Sequence, residues 1–239
     1  MTHRPDYGVD APGVIRNLLL IGLALLAVSF FIAKAGKVGP RIRPTFLITG
    51  SVLVAEGLAM LAYSKFGKFR HRDRMLAKIA WSGDEQVLDV GTGRGLLLIG
   101  AAHHLRIGKA VGIDIWSAKD LSGNTMQATQ QNAELEGVAD RVELKTEWAT
   151  KMNFADNSFD VVVSNLCIHN IPDRSGRDEA CREIARVLKP GGTALISDFK
   201  NTSSYARVFA DAGLDVQTRG PYLLDTFPPL RIVIARKPA

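Results

Sequence analysis

Cys167 and Cys181 are the only cysteines in a chain of 239 residues. Two are too few for a disulfide framework, so a reducing compartment is the simpler setting. Histidine is sparse as well, five in all. No set of His, Cys, Asp and Glu falls at ligand spacing, and no metal site is assigned. Acidic charge is missing mainly from one region. Residues 1–74 hold 11 Lys and Arg against 4 Asp and Glu, and the remaining 165 hold 19 against 20. The pI of 9.4 therefore describes the first third alone. A basic catalytic face for nucleic acid is not supported, and no nucleic-acid partner is expected. Internal repeats and low-complexity stretches are absent too.

Long apolar runs, by contrast, are present. Residues 1–13 are polar with two prolines and read as a loose tail. Leu18–Ala33 then carries no charge, and the run lengthens to 14–33 if Val14 to Asn17 join with Arg16 at the edge. A helix spanning a bilayer needs ~20 such residues. A cleaved signal peptide is the alternative, but Lys34-Ala35-Gly36-Lys37 offers no clean small-residue cleavage site and a second apolar run follows. That second run, 45–63, carries only Glu56, a carboxylate that must be protonated or face its partner segment inside a bilayer. Gly50 and Gly57 suit close packing of two helices. Lys34, Lys37, Arg41 and Arg43, with Pro40 and Pro44, read as the link between the runs, and Lys65, Lys68, Arg70, Arg72 and Arg74 follow the second.

Three arrangements suit this pattern. In a hairpin the larger basic cluster after Tyr63 lies on the cytoplasmic side. Alternatively the second run lies in the interface with both clusters on anionic lipid, or one run is a buried helix of the globular part. The favoured division is a tail over 1–13, a two-helix anchor over 14–66, a basic linker helix over 67–82 (residues 72–81 share one apolar face) and a globular domain over 83–239.

In the globular part, Gln86–Val90 is apolar around Asp89, then Gly91-Thr92-Gly93-Arg94-Gly95 precedes a helix-like run to Leu105. That is strand, tight turn and helix, the βα entry of a doubly wound sheet. Free N–H groups at the start of such a helix point into the crevice above the sheet. Position 96 is Leu, so the G-x-G-x-x-G spacing of a nicotinamide fingerprint is not met. The next strand ends on Asp114, 19 residues after Gly95. A carboxylate there can accept hydrogen bonds from a ribose diol, or it is a turn or cap residue. Ile115 and Trp116 can supply an apolar wall for a base, and the long link 116–123 is an acceptor-side loop or a surface excursion.

Further elements are expected as a helix over 124–136, a strand over 141–147, a buried strand over 159–164, and a helix from a capping-box-like Ser175 to Leu188. A strand over 193–198, a helix over 202–212 and strands over 214–218 and 230–235 complete the chain. His103 and His104 sit at a helix end, where imidazoles complement the dipole. Cys167 is read as packing. His169 is either a base for the acceptor or a structural hydrogen-bonding histidine.

Asp89 followed by G-x-G-x-G resembles the first motif of class I S-adenosylmethionine-dependent methyltransferases. Ala155-Asp156-Asn157-Ser158-Phe159-Asp160 and Arg186-Val187-Leu188-Lys189-Pro190-Gly191-Gly192 resemble later landmarks of their quinone- and small-molecule-modifying groups. The resemblance covers about 83–236. It implies an α/β, Rossmann-like, doubly wound sheet of seven mostly parallel strands with the last antiparallel, and S-adenosyl-L-methionine as cofactor. Asp89 would anchor the Gly loop or the methionine ammonium. Gly91, Thr92, Gly93 and Gly95 would cradle the methionyl part, and Asp114 the ribose. Ile115, residue 148 and the main chain of Ala149 would flank adenine, and Asn165 would open the methyl-transfer segment that contains His169. One departure stands out: Trp148 occupies a position where Asp is usual. A silent membrane scaffold that keeps the cofactor fold is the rival reading, and a nicotinamide oxidoreductase is a weaker one. The expected acceptor is small and lipophilic, and the expected location is the membrane with the catalytic domain facing the cytoplasm. Oligomeric state stays open.

Overall fold

The computed structural model describes residues 4–32 and 39–239. Lys34, Lys37 and the cleavage-site segment discussed above lie outside the described residues. Helices α1 (Pro12–Ile32) and α2 (Gly39–Ala62) pack as an antiparallel pair. A Cβ on Gly22 would stand 2.9 Å from the Gly50 carbonyl oxygen, and one on Gly50 would stand 2.9 Å from that of Gly22. The two backbones therefore touch where neither helix has a side chain, as the glycines at 50 and 57 predict. The second helix begins at Gly39 rather than at 45, so Arg41, Arg43 and Pro44 belong to it and not to a link. Pro40 falls among the first-turn positions whose N–H groups have no intrahelical partner, whereas Pro44 lies inside the helix and gives up one backbone bond there.

No loop separates this pair from the rest. A π-helical turn, Tyr63–Gly67, continues α2 directly into α3 (Lys68–Leu76), so one helical rod runs from Gly39 to Leu76. The linker helix thus ends at Leu76, short of Trp81, whose indole N–H instead donates to the Leu76 carbonyl at 3.1 Å. Met75 and Leu76 are buried in the core of the sheet domain. His71 bonds Ser197 Oγ at 2.6 Å, while Arg74 pairs with Asp225 and lies over the Tyr222 ring.

Nor is the N-terminal segment loose. Asp6 N–H donates to Asn132 Oδ1 at 2.9 Å, Ser122 N–H donates to the Val9 carbonyl at 3.1 Å, and Tyr7 is buried. The buried Lys68 ammonium donates to the carbonyls of Tyr7 and Gly8 at 2.8 and 2.7 Å. A polar composition gives no sign of this strap because its partners, main-chain and side-chain alike, lie far away in sequence, as Tyr7 on Glu136 and Asp6 on Arg94 do.

The sheet follows the order β3-β2-β1-β4-β5-β7-β6. Its strands are β1 (Gln86–Val90), β2 (Lys109–Asp114), β3 (Val142–Thr146), β4 (Phe159–Asn165), β5 (Leu188–Asp198), β6 (Asp215–Tyr222) and β7 (Leu230–Arg236). β1 to β5 pair in parallel and β7 runs antiparallel to both β5 and β6. Helices α4 (Leu96–Ala102), α5 (Met126–Leu135), α6 (Arg174–Val187) and α7 (Thr202–Asp211) cover its faces. Successive side chains of a strand point to opposite faces. Accordingly Val87, Val161 and Val163 join Met75, Leu98 and Ile99 on one side, and Leu88 and Val162 join Ile184 and Phe209 on the other.

Most element boundaries fall within a few residues of expectation. Two differ for identifiable reasons. The helix expected from Ser175 is capped earlier, by Asp173, whose carboxylate accepts from Gly176 N–H. The strand expected from Thr193 starts at Leu188, with an irregularity over Lys189-Pro190-Gly191-Gly192 where its register on β4 shifts between Leu188 and Thr193 and Gly191 takes a positive φ.

Candidate active site

Strand order reverses between β1 and β4, and the ends of β1, β2 and β4 open a crevice at that switch point. Gly91 and Thr92 donate their N–H groups to the Ile113 carbonyl at 2.9 and 3.0 Å, stitching the loop to β2. Gly91, Gly93 and Gly95 all adopt positive φ. A Cβ on Gly91 would also lie 2.2 Å from Cys167 Sγ, so this loop and the segment after β4 leave no room for a side chain there. Burial pushes the Cys167 thiol up, which keeps it neutral and suits the packing reading.

Asp89 is 2% exposed. Its Oδ2 accepts from Thr92 Oγ1 at 2.9 Å and from Leu98 N–H at 3.0 Å. Those contacts tie the loop to the first turn of α4, the first of the two roles expected for it. Burial raises its carboxyl to about 7 against the pull of those two donors. Asp114 grips the same loop from the other side. Its Oδ2 accepts from Gly93 N–H at 2.8 Å and its Oδ1 from Trp116 N–H at 2.6 Å. Two carboxylates, near the end of β1 and at the end of β2, thereby fix the glycine loop, one through the Thr92 side chain and one through the Gly93 main chain.

Chain direction is forced at two neighbouring points. Trp116 and Leu166, just past β2 and β4, hold left-handed φ values of 60° and 54°. Non-glycine residues there carry roughly 1–3 kcal/mol of strain, and such residues concentrate at ligand sites. Asn165, at the end of β4, presents a buried Oδ1 with no hydrogen-bond partner, and Asn124 presents another. Ile115 and Trp148 are 48% and 66% exposed, leaving two apolar surfaces uncovered near the ends of β2 and β3. Ala149 packs against the core, leaving main chain beside Trp148. Main-chain curvature free of Cβ atoms, orphaned amide oxygens and open flat apolar side chains together fit a ligand that joins a polar amino-acid part to an aromatic base.

His169 lies beyond the crevice, on the β4–α6 segment. Its Nδ1 stands 2.9 Å from Asp198 Oδ1 without an aligned hydrogen bond, and its backbone N–H donates to Asp198 Oδ2 at 3.2 Å. Phe199 meets the imidazole edge-on at 4.8 Å. His103 and His104 sit past α4, His103 on Glu136 and His104 stacked on Trp81. Sequence reasoning missed Asp198, Tyr63, Lys68 and His71. Burial lowers the amine of Lys68, and burial followed by the charge of Arg74 lowers His71 to about 4.

Residues 88–196 match the family model described as a methyltransferase domain. The chain is 35% identical over 127 residues to a demethylmenaquinone methyltransferase of Lactiplantibacillus plantarum, covering 52% of this chain and 50% of the relative. It is 32% identical over 122 residues to a ubiquinone/menaquinone biosynthesis C-methyltransferase of Geotalea daltonii, covering 51% and 48%. The chain therefore spans about half the length of the relatives it matches. Its fold superposes on a solved S-adenosylmethionine-dependent methyltransferase of Aquifex aeolicus with a TM-score of 0.53 at 20% identity, covering 69% of this chain and 88% of that one. The glycine loop, its two carboxylates and these likenesses support a methyltransferase domain of the class I, S-adenosylmethionine-dependent kind, with S-adenosylmethionine as its cofactor.

Proposed function

We propose that the protein is a membrane-anchored, S-adenosylmethionine-dependent methyltransferase whose acceptor is small and lipophilic. The observation that carries this is the junction of its two parts. The apolar helix pair runs without a break into the domain that holds the glycine loop, and the π-turn between them buries Tyr63.

Helices α1 and α2 are long and apolar enough to cross a bilayer. Only 17% and 11% of their apolar windows are buried, which disfavours the reading of a core helix. Leu20, Ile21, Leu23, Ile48 and Leu58 all face outward. The N-terminal strap and the end of α2 both dock on the sheet domain, so a hairpin would place both its ends on the catalytic side.

In this reading the main chain of Gly91, Thr92 and Gly93 contacts the methionyl part, with Gly95 admitting the start of α4. Asp114 accepts from the ribose hydroxyls. Ile115, Trp148 and the Ala149 main chain flank the adenine, and Asn165 faces the transferring methyl. The cofactor supplies a methyl group already activated on a sulfonium. What remains for the chain is to hold an acceptor atom in line and keep water out, which is worth ~7–11 kcal/mol of barrier. His169, held by Asp198, takes a proton from an acceptor that must lose one.

Purified full-length protein, given labelled methyl donor and membrane extract or soluble metabolites in parallel, tests the reading. Label in the lipid fraction is expected, and label found only in water-soluble products overturns the lipophilic acceptor. Trp148, standing where a carboxylate is usual, favours the rival reading of a silent scaffold, which any consumption of the methyl donor excludes.

A further inference from the structure

Most of the large apolar side chains on the outside of this molecule belong to the helix pair. Three others, Phe66, Leu223 and Leu224, are 73%, 69% and 102% exposed. Phe66 sits in the π-turn, and the two leucines open the link between β6 and β7. The two segments touch. A Cβ on Gly67 would collide with the Asp225 carbonyl oxygen, so Phe66 and Leu224 are the chain neighbours of the two residues in that contact. The link is fastened as well. Asp225 pairs with Arg74, whose guanidinium lies 4.2 Å from the centre of the Tyr222 ring. Thr226 Oγ1 donates to the Tyr222 carbonyl and accepts from Leu230 N–H at 3.0 Å. A backbone held this firmly still offers its leucines to the outside. Single exposed leucines are ordinary, whereas apolar side chains gathered on touching segments mark a contact surface.

The rod determines what that surface meets. Residues 45–62 of α2 span about 27 Å at about 1.5 Å each, close to the thickness of a hydrocarbon core of ~30 Å. Phe66 stands about 6 Å further along the axis. That is within the interfacial layer, roughly 5–7 Å deep, on each side of the core. Lys65, Arg70 and Arg219 are exposed, each within four residues of one of the three apolar side chains, and cations at this level are drawn to anionic lipid. The link also lies on a particular edge of the sheet. β5 and β6 are both antiparallel to β7, so β6 runs in the direction of the parallel strands. Leu223 therefore leaves the sheet at their carboxyl ends, the edge that carries the Gly91 loop and Asp114.

We propose that Phe66, Leu223 and Leu224 form a second contact with the bilayer, seated in the headgroup layer of an anionic membrane, that holds the carboxyl edge of the sheet toward the lipid. This rests on the anchoring half of the proposed function and is independent of its methyl-transfer half. A helical stalk alone leaves a domain free to swing. A stalk with an apolar foot beside it fixes which edge faces the membrane, and a crevice on that edge receives a lipophilic molecule without passage through open water.

Depth-dependent quenching tests this. Full-length protein carries a nitrobenzoxadiazole fluorophore on one introduced cysteine, Leu223→Cys, Leu224→Cys, Val52→Cys or Ile107→Cys, with wild type taken through the same labelling to correct for Cys167 and Cys181. Each chain sits alone in a nanodisc of phosphatidylcholine and phosphatidylglycerol, with a nitroxide either on the headgroup or near the end of the acyl chain. Labels at 223 and 224 are expected to lose fluorescence to the headgroup nitroxide and to keep it with the deep one. A label at Val52, 49% exposed within α2, is expected to lose fluorescence to the deep nitroxide. A label at Ile107, 81% exposed just before β2 at the opposite edge, is expected to lose it to neither. A label at 223 or 224 that stays bright while 52 is quenched overturns the foot and leaves the anchor standing, the result expected if another protein covers this surface instead. Headgroup quenching at 107 equal to that at 224 overturns the orientation, and the proposal with it. A label at 52 that stays bright strikes the anchoring reading itself, and the proposal falls with it.

Discussion

Glycine serves two opposite purposes in the two halves of this molecule. Between α1 and α2, Gly22 and Gly50 are ordinary helical residues whose value is missing volume, since each lets the other's carbonyl approach. In the loop after β1, Gly91 is needed for its backbone, at φ 73°, as well as for space against Cys167. The helix pair is held by shape and carries its apolar side chains outward. The loop is held by charge, through Asp89 and Asp114, and keeps its polar atoms inward. A missing side chain can therefore mean packing in one place and conformation in another, and the neighbours decide which.

The largest effect is expected at the loop. Gly91→Ala meets both a left-handed backbone, roughly 1–2 kcal/mol for a residue with a Cβ, and crowding against Cys167, about 1–3 kcal/mol more. Calorimetry should show a lowered melting temperature and lost binding of S-adenosylmethionine, with the helical signal of the α1–α2 pair retained in detergent. Asp114→Ala comes next. Removing charge-assisted bonds to the ribose is worth about 1.5–3 kcal/mol, so isothermal titration should read a roughly ten- to hundredfold weaker cofactor affinity. If affinity is unchanged, the role given to Asp114 fails. Gly50→Ala should cost less, toward the lower end of about 1–3 kcal/mol, because two helices can slide apart where a pinned loop cannot. Its signature is a changed helix-pair stability with cofactor affinity intact. A cofactor affinity that falls with it would show that the two halves are one cooperative unit.

The smallest effects are those of pH. Burial holds Asp89 at about 7, above the range of an unfolded carboxyl, so it costs stability as pH rises from about 4 through 7. A cationic cofactor favours its ionised form, and affinity should tighten modestly between pH 6 and 8 in wild type and stay flat in Asp89→Asn. His71 works the other way. Its folded value of about 4 lies below the unfolded one, so its contribution is whole above about 6.5 and is lost as pH falls toward 4. Melting curves across pH 4–6.5 should steepen that loss in wild type and flatten it in His71→Gln.

Strand ends and loops were legible because Asp89, the glycines and Asp114 sit at fixed separations that few other arrangements require. The continuous Val161-Val162-Val163 run marked a strand buried on both faces, and β4 is one. What was not legible has a common cause. Tyr63 closes a run whose apolarity suggests lipid, and nothing in Tyr63-Ser64-Lys65-Phe66-Gly67 distinguishes a π-turn from an α-turn. Residues 4–11 bind partners more than 50 positions away, among them Glu136 for Tyr7, Arg94 for Asp6 and Ser64 for Asp10, which leave no mark in local composition. His71 and Ser197 are 126 residues apart and meet only once the sheet is assembled.

The unbroken rod from Gly39 to Leu76 works as a keyed shaft. Each residue of an α-helix advances about 1.5 Å and rotates about 100°. An insertion within α2 would therefore turn the apolar pair around its axis relative to the catalytic mouth, and only insertions near whole turns would restore the original heading. The angular setting between the two halves is thus written into the count of residues between Gly50 and Tyr63, and a species that lengthened this stretch freely would have to give up that alignment.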